Sequence, residues 1–307
     1  MGFQNAGYEI VAAFDSWARA IEVYRRNFRH PIFEADLGDA AAMGEIVKHS
    51  PNLIIGGPPC QDFSSAGLRS EALGRADLTV KFAQIVAGIK PAYFVMENVE
   101  RVQKSHAYKT ACHLLKNARY GLTSVVLDAS LCGVPQKRKR FFLIGDLDGQ
   151  DSAAMPYLTE NISAEPTTVR GYLGDALGVE HFYRHPRSYA RRGVFSVDEP
   201  SPTIRGVNRP IPRGYPGHSG DTTSDLANVR HLTTLERSYI QTFPTWFKFE
   251  GTKTDLEQMI GNAVPVKLAE FVGNALRKYA NDKSKGKMRQ EICFESELPL
   301  EQLALPT

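Results

Sequence analysis

Short apolar runs rich in β-branched and aromatic residues alternate with helical patterns from residue 8 to about residue 145. That alternation predicts a parallel sheet covered on both faces. The spacing predicts a strand over Glu9–Asp15, a helix over Ala18–Asn27, a buried strand over Asn52–Gly57 and a helix over Leu78–Ile89. Tyr93–Glu97, Ala111–Ala118, Leu122–Ala129 and Arg140–Gly145 continue the series as strand, helix, strand and strand. After about Gly149 the regularity stops, and Pro, Gly, Ser and Arg dominate until helical spacing returns at Leu232 and again over Val264–Tyr279. The expected organisation is an α/β domain over 1–149, a smaller domain over 150–230, helices over 231–280 that rejoin the first domain, and a loose tail over 281–307.

With 42% hydrophobic and 23% charged residues among 307, the chain falls outside the disordered and collagen-like classes. No apolar run approaches the ~20 residues of a spanning helix, and the opening stretch is too short and too acidic for a secretory signal, so a cytoplasmic protein with no membrane partner is expected. Cys60, Cys112, Cys132 and Cys293 contain no Cys-x-x-Cys pair. That spacing predicts neither a disulfide framework nor a metal site, and leaves a single cysteine with special chemistry open. The net charge of +3 excludes little, but its distribution is informative. Arg184, Arg187, Arg191, Arg192, Arg205, Arg209 and Arg213 crowd one tyrosine-bearing window, either as a phosphate-contacting surface or as a solvated loop.

Three segments carry candidate chemistry. Leu53–Ser64 is a buried strand that stops at Gly56-Gly57-Pro58-Pro59 and delivers Cys60. In an open α/β sheet ligands bind beyond the carboxyl ends of the strands, so a thiol held there by prolines meets substrate; a small buried hydrophobe is the alternative. The next strand ends in Glu97-Asn98-Val99, placing a carboxyl group at the matching end, where burial would raise its pKa; a capping residue is the alternative. Gln136, Arg138 and Arg140 alternate along a third strand with Lys137 and Lys139, so one set can face a cleft while the other faces away.

Pro-Pro-Cys-Gln, Glu-Asn-Val and Gln-x-Arg-x-Arg, in this order, resemble the DNA cytosine-5 methyltransferases of bacterial restriction–modification systems. Arg75-Ala76-Asp77-Leu78 with Phe82, Glu199-Pro200-Ser201-Pro202-Thr203-Ile204 and Gly261-Asn262-Ala263-Val264-Pro265-Val266 extend the likeness to roughly residues 3–280. The resemblance implies a Rossmann-like S-adenosylmethionine-dependent methyltransferase sheet with a second, smaller target-recognition region. It implies Cys60 as nucleophile, Glu97 as the group at the cytosine N3, and Arg140 at O2 with Arg138 in support. Asp15, Asp36, Pro58, Leu78, Asn262 and Val264 are the implied donor contacts, and Gln61, Ser64, Gln136, Arg205 and Arg209 the implied contacts to double-stranded DNA. The target base would be flipped out of the stack, and no metal is called for.

Two departures accompany the likeness. The family's strand and Phe-x-Gly-x-Gly-Gly turn should precede the helix that runs into Gly2–Gly7, yet the chain begins at Met1, inside that helix. The expectation is two unpaired strands and a hole in the sheet, explained by a late start codon, a second polypeptide that completes the donor site or target recognition, or a truncated remnant. The stretch between Gly145 and Arg191 is also short for a base-reading region. An RNA cytosine-5 methyltransferase of the same fold and a noncatalytic DNA-binding subunit therefore remain alternatives, whereas the lack of Gly-x-Gly-x-x-Gly argues against a nicotinamide enzyme.

Overall fold

The computed structural model describes residues 1–59 and 77–286. Its first half contains α1 (Gly2–Asn5), β1 (Ala13–Asp15), α2 (Ala18–Asn27), β2 (Ile32–Glu34), α3 (Ala40–Val47) and β3 (Leu53–Gly56). There follow α4 (Asp77–Ile89), β4 (Tyr93–Asn98), α5 (His106–Asn117), β5 (Tyr120–Asp128), β6 (Gln136–Lys137) and β7 (Lys139–Leu147).

The sheet is mixed, which corrects the all-parallel expectation. Its order is β3-β4-β7-β5; β3 and β4 pair in parallel, but β7 lies antiparallel to both β4 and β5. The reason is the short link from β5 into β7, about ten residues with no helix long enough for a crossover. Alternation along the strands divides the core into two layers. Val95, Leu127, Phe142 and Ile144 face α1, α6 (Met155–Thr159) and α10 (Val266–Ser284), where they meet Phe3, Tyr157 and Leu268. Phe94, Met96, Tyr120, Phe141 and Leu143 face α4 and α5, where they meet Phe82, Val86 and Leu115. Ser105 caps α5, its hydroxyl accepting from the Tyr108 amide at 3.0 Å, so this helix begins five residues before the expected Ala111.

β1 and β2 form a separate two-stranded parallel sheet. The strand expected over Glu9–Asp15 shrinks to three residues because 9–12 have no ladder partner among the described residues. The three-residue β2 and helix α3 were not legible as elements: three residues set no period, and Asp39 starts α3 by accepting from the Ala41 amide at 3.1 Å. Between β1 and β3 lies an apolar cavity of about 850 Å³.

The remainder is α7 (Val169–Leu173), β8 (His181–Tyr183), β9 (Val194–Ser196), β10 (Ser201–Pro202), β11 (Arg230–His231), α8 (Thr234–Ile240) and α9 (Lys253–Asn262). Order β11-β8-β9 makes a small sheet whose Phe182 and Phe195 share a core with Leu232, Ile240 and Ile260. Thus α8 and α9 pack with the small sheet, α6 packs with the large one, and α10 alone of the last three helices rejoins the first core. No helix among the described residues is long and apolar enough to cross a membrane.

Candidate active site

Because β7 runs against β4, the start of one meets the end of the other. Glu97 sits opposite Phe142, and Arg140 lies two residues back along β7. Arg140 Nε reaches Glu97 Oε1 at 2.9 Å, with only 15% and 17% of the two side chains exposed. Burial raises the Glu97 carboxyl above its ordinary range, while Arg140 and then Arg138 pull it the other way. Gly57 completes the neighbourhood: a Cβ at that position would stand 3.2 Å from Glu97 Oε2. Asn98, buried at the end of β4, donates from Nδ2 to the Pro58 carbonyl at 3.1 Å. The loop leaving β3 is therefore tied to the strand bearing Glu97. Sequence reasoning passed over Asn98 as a site residue, although its place beside Glu97 at a strand end was the available signal.

Cys60, Gln61 and Ser64 lie outside the described residues. The chain enters that segment from Pro58 and Pro59, so the anchor holding the approach to Cys60 is the Asn98 bond.

The other two members of the alternating set do not face an open cleft. Arg138 is 1% exposed, with Nη1 donating to the Ile204 carbonyl at 2.9 Å and Nη2 donating to Gly261 at 2.9 Å and Ala263 at 3.2 Å. Gly261 and Ala263 flank the end of α9, where unpaired carbonyls and the helix dipole favour a cation. Burial, followed by Arg140, pushes the Arg138 pKa down to about 9, against the pull of Glu97. Gln136 is fully buried, donating to Gln241 Oε1 at 2.8 Å and accepting from the Ile204 amide at 2.9 Å. Both residues thus brace β6 and β7 against the small sheet and α9. Gln241, the other missed residue, is fully buried and donates to the Ala263 carbonyl at 3.0 Å; a glutamine in a helical pattern carries no sequence signal for such a role.

The implied donor contacts are placed less tightly. Asp15 closes β1, exposed, with Oδ1 accepting from the Trp17 amide at 2.8 Å. Asp36 follows β2 and accepts from the Gly38 amide at 2.8 Å. The Gly38 backbone lies between Asp36 and Leu78, since a Cβ there would meet Asp36 Oδ1 at 3.1 Å and Leu78 Cδ2 at 3.9 Å. Two carboxylates beyond the ends of paired parallel strands match the chemistry of a ribose and an amine. Asn262 ends α9, exposed, and Val264 lies in the connection before α10 and also lines the cavity between β1 and β3. The final motif therefore joins α9 to α10.

The arginine-rich window divides in two. Arg192 pairs with Glu199 at 2.5 Å and lies 4.3 Å over the Phe195 ring, a structural role. Arg187, Arg191, Arg209 and Arg213 are exposed. Half-buried Arg205 donates to the His185 carbonyl at 2.5 Å. Burial first, and then the like charges of Arg205, Arg187, Arg237 and Arg191, push the Arg184 pKa down to about 10. Such a surface favours polyanions.

The description "C-5 cytosine-specific DNA methylase" belongs to the family model that matches residues 1–278. Type II methyltransferase M.HindV of Haemophilus influenzae is 58% identical over 284 residues, spanning 92% of this chain and 93% of its own. Type II methyltransferase M.HgiDI of Herpetosiphon aurantiacus is 56% identical over 282 residues, spanning 92% and 91%. Among solved structures, the S. pombe Dnmt2 methyltransferase superposes with a TM-score of 0.67 at 18% identity, covering 91% of this chain and 95% of that one. At 18% identity that likeness shows the fold alone.

Proposed function

This chain belongs to the C-5 cytosine-specific DNA methylase family, and from that premise we propose how its residues divide the work of transferring a methyl group to cytosine in DNA. Cys60 is the nucleophile. Its thiolate adds to carbon 6 of a flipped cytosine, forming the S–C6 bond and moving an electron pair toward carbon 5. Glu97 supplies a proton or hydrogen bond at N3 as charge builds there, and burial favours the protonated form that can do so. Arg140, held by Glu97, presents its guanidinium to O2 and stabilises the adduct. After transfer, loss of the carbon-5 proton returns the electron pair and expels the Cys60 sulfur.

S-adenosylmethionine, when bound, supplies the electrophilic methyl group; Asp15 would hold its ribose, and Asp36 its adenine amine beside Leu78, with Pro58, Asn262 and Val264 bordering the site. Arg138 and Gln136 act from inside the protein by fixing β6 and β7. Arg187, Arg191, Arg205 and Arg209 meet DNA phosphates. The likeness to Type II methyltransferases supports a role in restriction–modification, in which the enzyme marks a specific duplex sequence.

The observation that carries this proposal is the buried Glu97–Arg140 pair beside the Gly57-Pro58 turn that leads into Cys60. The test is a 5-fluorocytosine duplex offered with S-adenosylmethionine, because fluorine blocks loss of the carbon-5 substituent and traps the adduct. A covalent complex mapped to Cys60, absent in Cys60→Ser although DNA is still bound, is expected. Free enzyme under those conditions, or transfer to structured RNA but not to duplex DNA, would overturn it.

A further inference from the structure

Residues 203–208 form neither helix nor strand, yet this loop on the arginine-rich face is braced almost throughout. Arg184 Nη2 donates to the Thr203 carbonyl at 3.1 Å, and Arg138 holds the Ile204 carbonyl at 2.9 Å. The Arg205 carbonyl accepts from the Arg237 guanidinium. The Gly206 backbone lies against α9, where a Cβ would come within 3.3 Å of Gln258 Cα. Asn208 Nδ2 donates to the Leu232 carbonyl at 2.7 Å and to Glu257 Oε1 at 3.1 Å. Glu257 is itself buried and paired with Arg237, so the last of these ties ends in the interior.

Val207 stands apart. It is 57% exposed, and no other residue from Thr203 to Asn208 is exposed. A single exposed valine is ordinary in itself. This one sits on a backbone that cannot turn it inward, two residues from Arg205 on one side and from Arg209 on the other. Burial, and then the charges of Arg209, Arg205 and Arg184, lower the His185 pKa, so those three guanidinium groups share one neighbourhood. Such a neighbourhood attracts a polyanion, but a valine gains nothing from a phosphate.

We propose that Val207 reads a base edge of the DNA target, its isopropyl group packing on the C5-methyl of a thymine. The thymine methyl is the apolar feature that the major groove displays, and apolar side chains are its partners. Phosphate contacts set register and base contacts set sequence, so arginines flanking a fixed valine divide those two tasks. The bracing of the loop serves the second task, because a contact that discriminates must be held in place. Val207 is three residues, at most ~11 Å of chain, from the Ile204 carbonyl. Arg138, which holds that carbonyl, is two residues, ~7 Å, from Arg140. The valine therefore lies within the span of a short recognition sequence from the Glu97–Arg140 pair. This inference deepens the DNA reading proposed above and rests on it.

The test separates the two. The full chain is offered a random-sequence duplex pool with S-adenosylmethionine, and the sequences it retains and those it methylates are recovered, the latter by bisulfite sequencing. Defined duplexes of the recovered sequence are then made with each thymine in turn replaced by deoxyuridine, a change that deletes only the methyl group. Affinity by fluorescence anisotropy and kcat/KM for transfer are measured for the unaltered chain, Val207→Ala and Val207→Ile. At one position the unaltered chain and Val207→Ile should lose about fourfold or more on deoxyuridine, the worth of one buried methyl group. Val207→Ala should show a similar loss on the thymine duplex, no further loss on deoxyuridine, and an unchanged melting temperature.

A recovered sequence without thymine, indifference of the unaltered chain to every deoxyuridine, or a thymine preference that persists in Val207→Ala would overturn the assignment. Duplex binding that depends on the methyl group and on Val207, without any transfer, sustains the assignment and removes the proposed reaction. Transfer with no dependence on the methyl group does the reverse.

Discussion

Replacing Arg138 by Met tests whether the buried guanidinium joins the two cores. The substitution conserves length and apolar stem but removes the donors to three carbonyls, those of Ile204, Gly261 and Ala263. Hydrogen bonds to a charged group are worth ~1.5–3 kcal/mol each, and they are not additive. Removing a buried charge also relieves its desolvation, which offsets part of the loss. Weighing these, we expect a net destabilisation of about 3–5 kcal/mol, because three buried carbonyls are left without their donor. At ~2–4 °C per kcal/mol for a chain of this size, the melting temperature should fall by roughly 10 °C in scanning calorimetry. Arg138→Lys keeps the charge but not the planar fork, and should recover less than half of the loss. A fall of less than about 2 °C for Arg138→Met would refute the argument, because three carbonyls that tolerate losing their donor were never held by it.

Further outcomes follow from the same geometry. Glu97 binds its proton more tightly in the folded protein, so its contribution to stability is greatest at low pH and is lost as pH climbs from the unfolded to the raised folded value. A kcat/KM profile should fall through that raised value, and Glu97→Gln, which retains an N–H donor but cannot titrate, should lower the rate by about 10²–10⁴ and abolish that limb. Gly57→Ala places a methyl 3.2 Å from Glu97 Oε2. It should reduce kcat about tenfold or more while changing stability by less than about 1 kcal/mol, a split that steady-state kinetics and thermal melts resolve. Arg191→Ala and Arg209→Ala should each flatten the slope of log affinity for duplex DNA against log salt by roughly 0.9, with an unchanged slope counting against phosphate contact.

Much of the first half was legible because buried strands and long helices carry strong periodic signals. Helix Ala18–Asn27 was located to the residue, and the strand leading to Cys60 was found within one residue at either end. The direction of β7 was not legible, since a strand buried on both faces has the same sequence pattern whichever way it runs. Period two correctly put Gln136, Arg138 and Arg140 on one side, but periodicity does not say what covers that side. Here α9 and the small sheet cover two of the three, and only Arg140 reaches Glu97. The division into domains was marked by where Pro and Gly cluster, whereas packing follows apolar faces, and those of α8 and α9 match Phe182 and Phe195.

The docking of α1 on α10 has a consequence for biosynthesis. Phe3 shares its core with Leu268, Val272 and Leu276, the Arg277 guanidinium donates to the Ala6 carbonyl at 2.7 Å, and a methyl on Gly2 would stand 2.5 Å from Ala269 Cβ. A nascent chain that has emerged as far as residue 260 has made strands β3, β4, β7 and β5, yet one side of that sheet still lacks α10. Termination of synthesis before α10 is complete therefore yields a sticky, unfinished polypeptide that chaperones and proteases recognise, in place of a half-competent modifier of the genome.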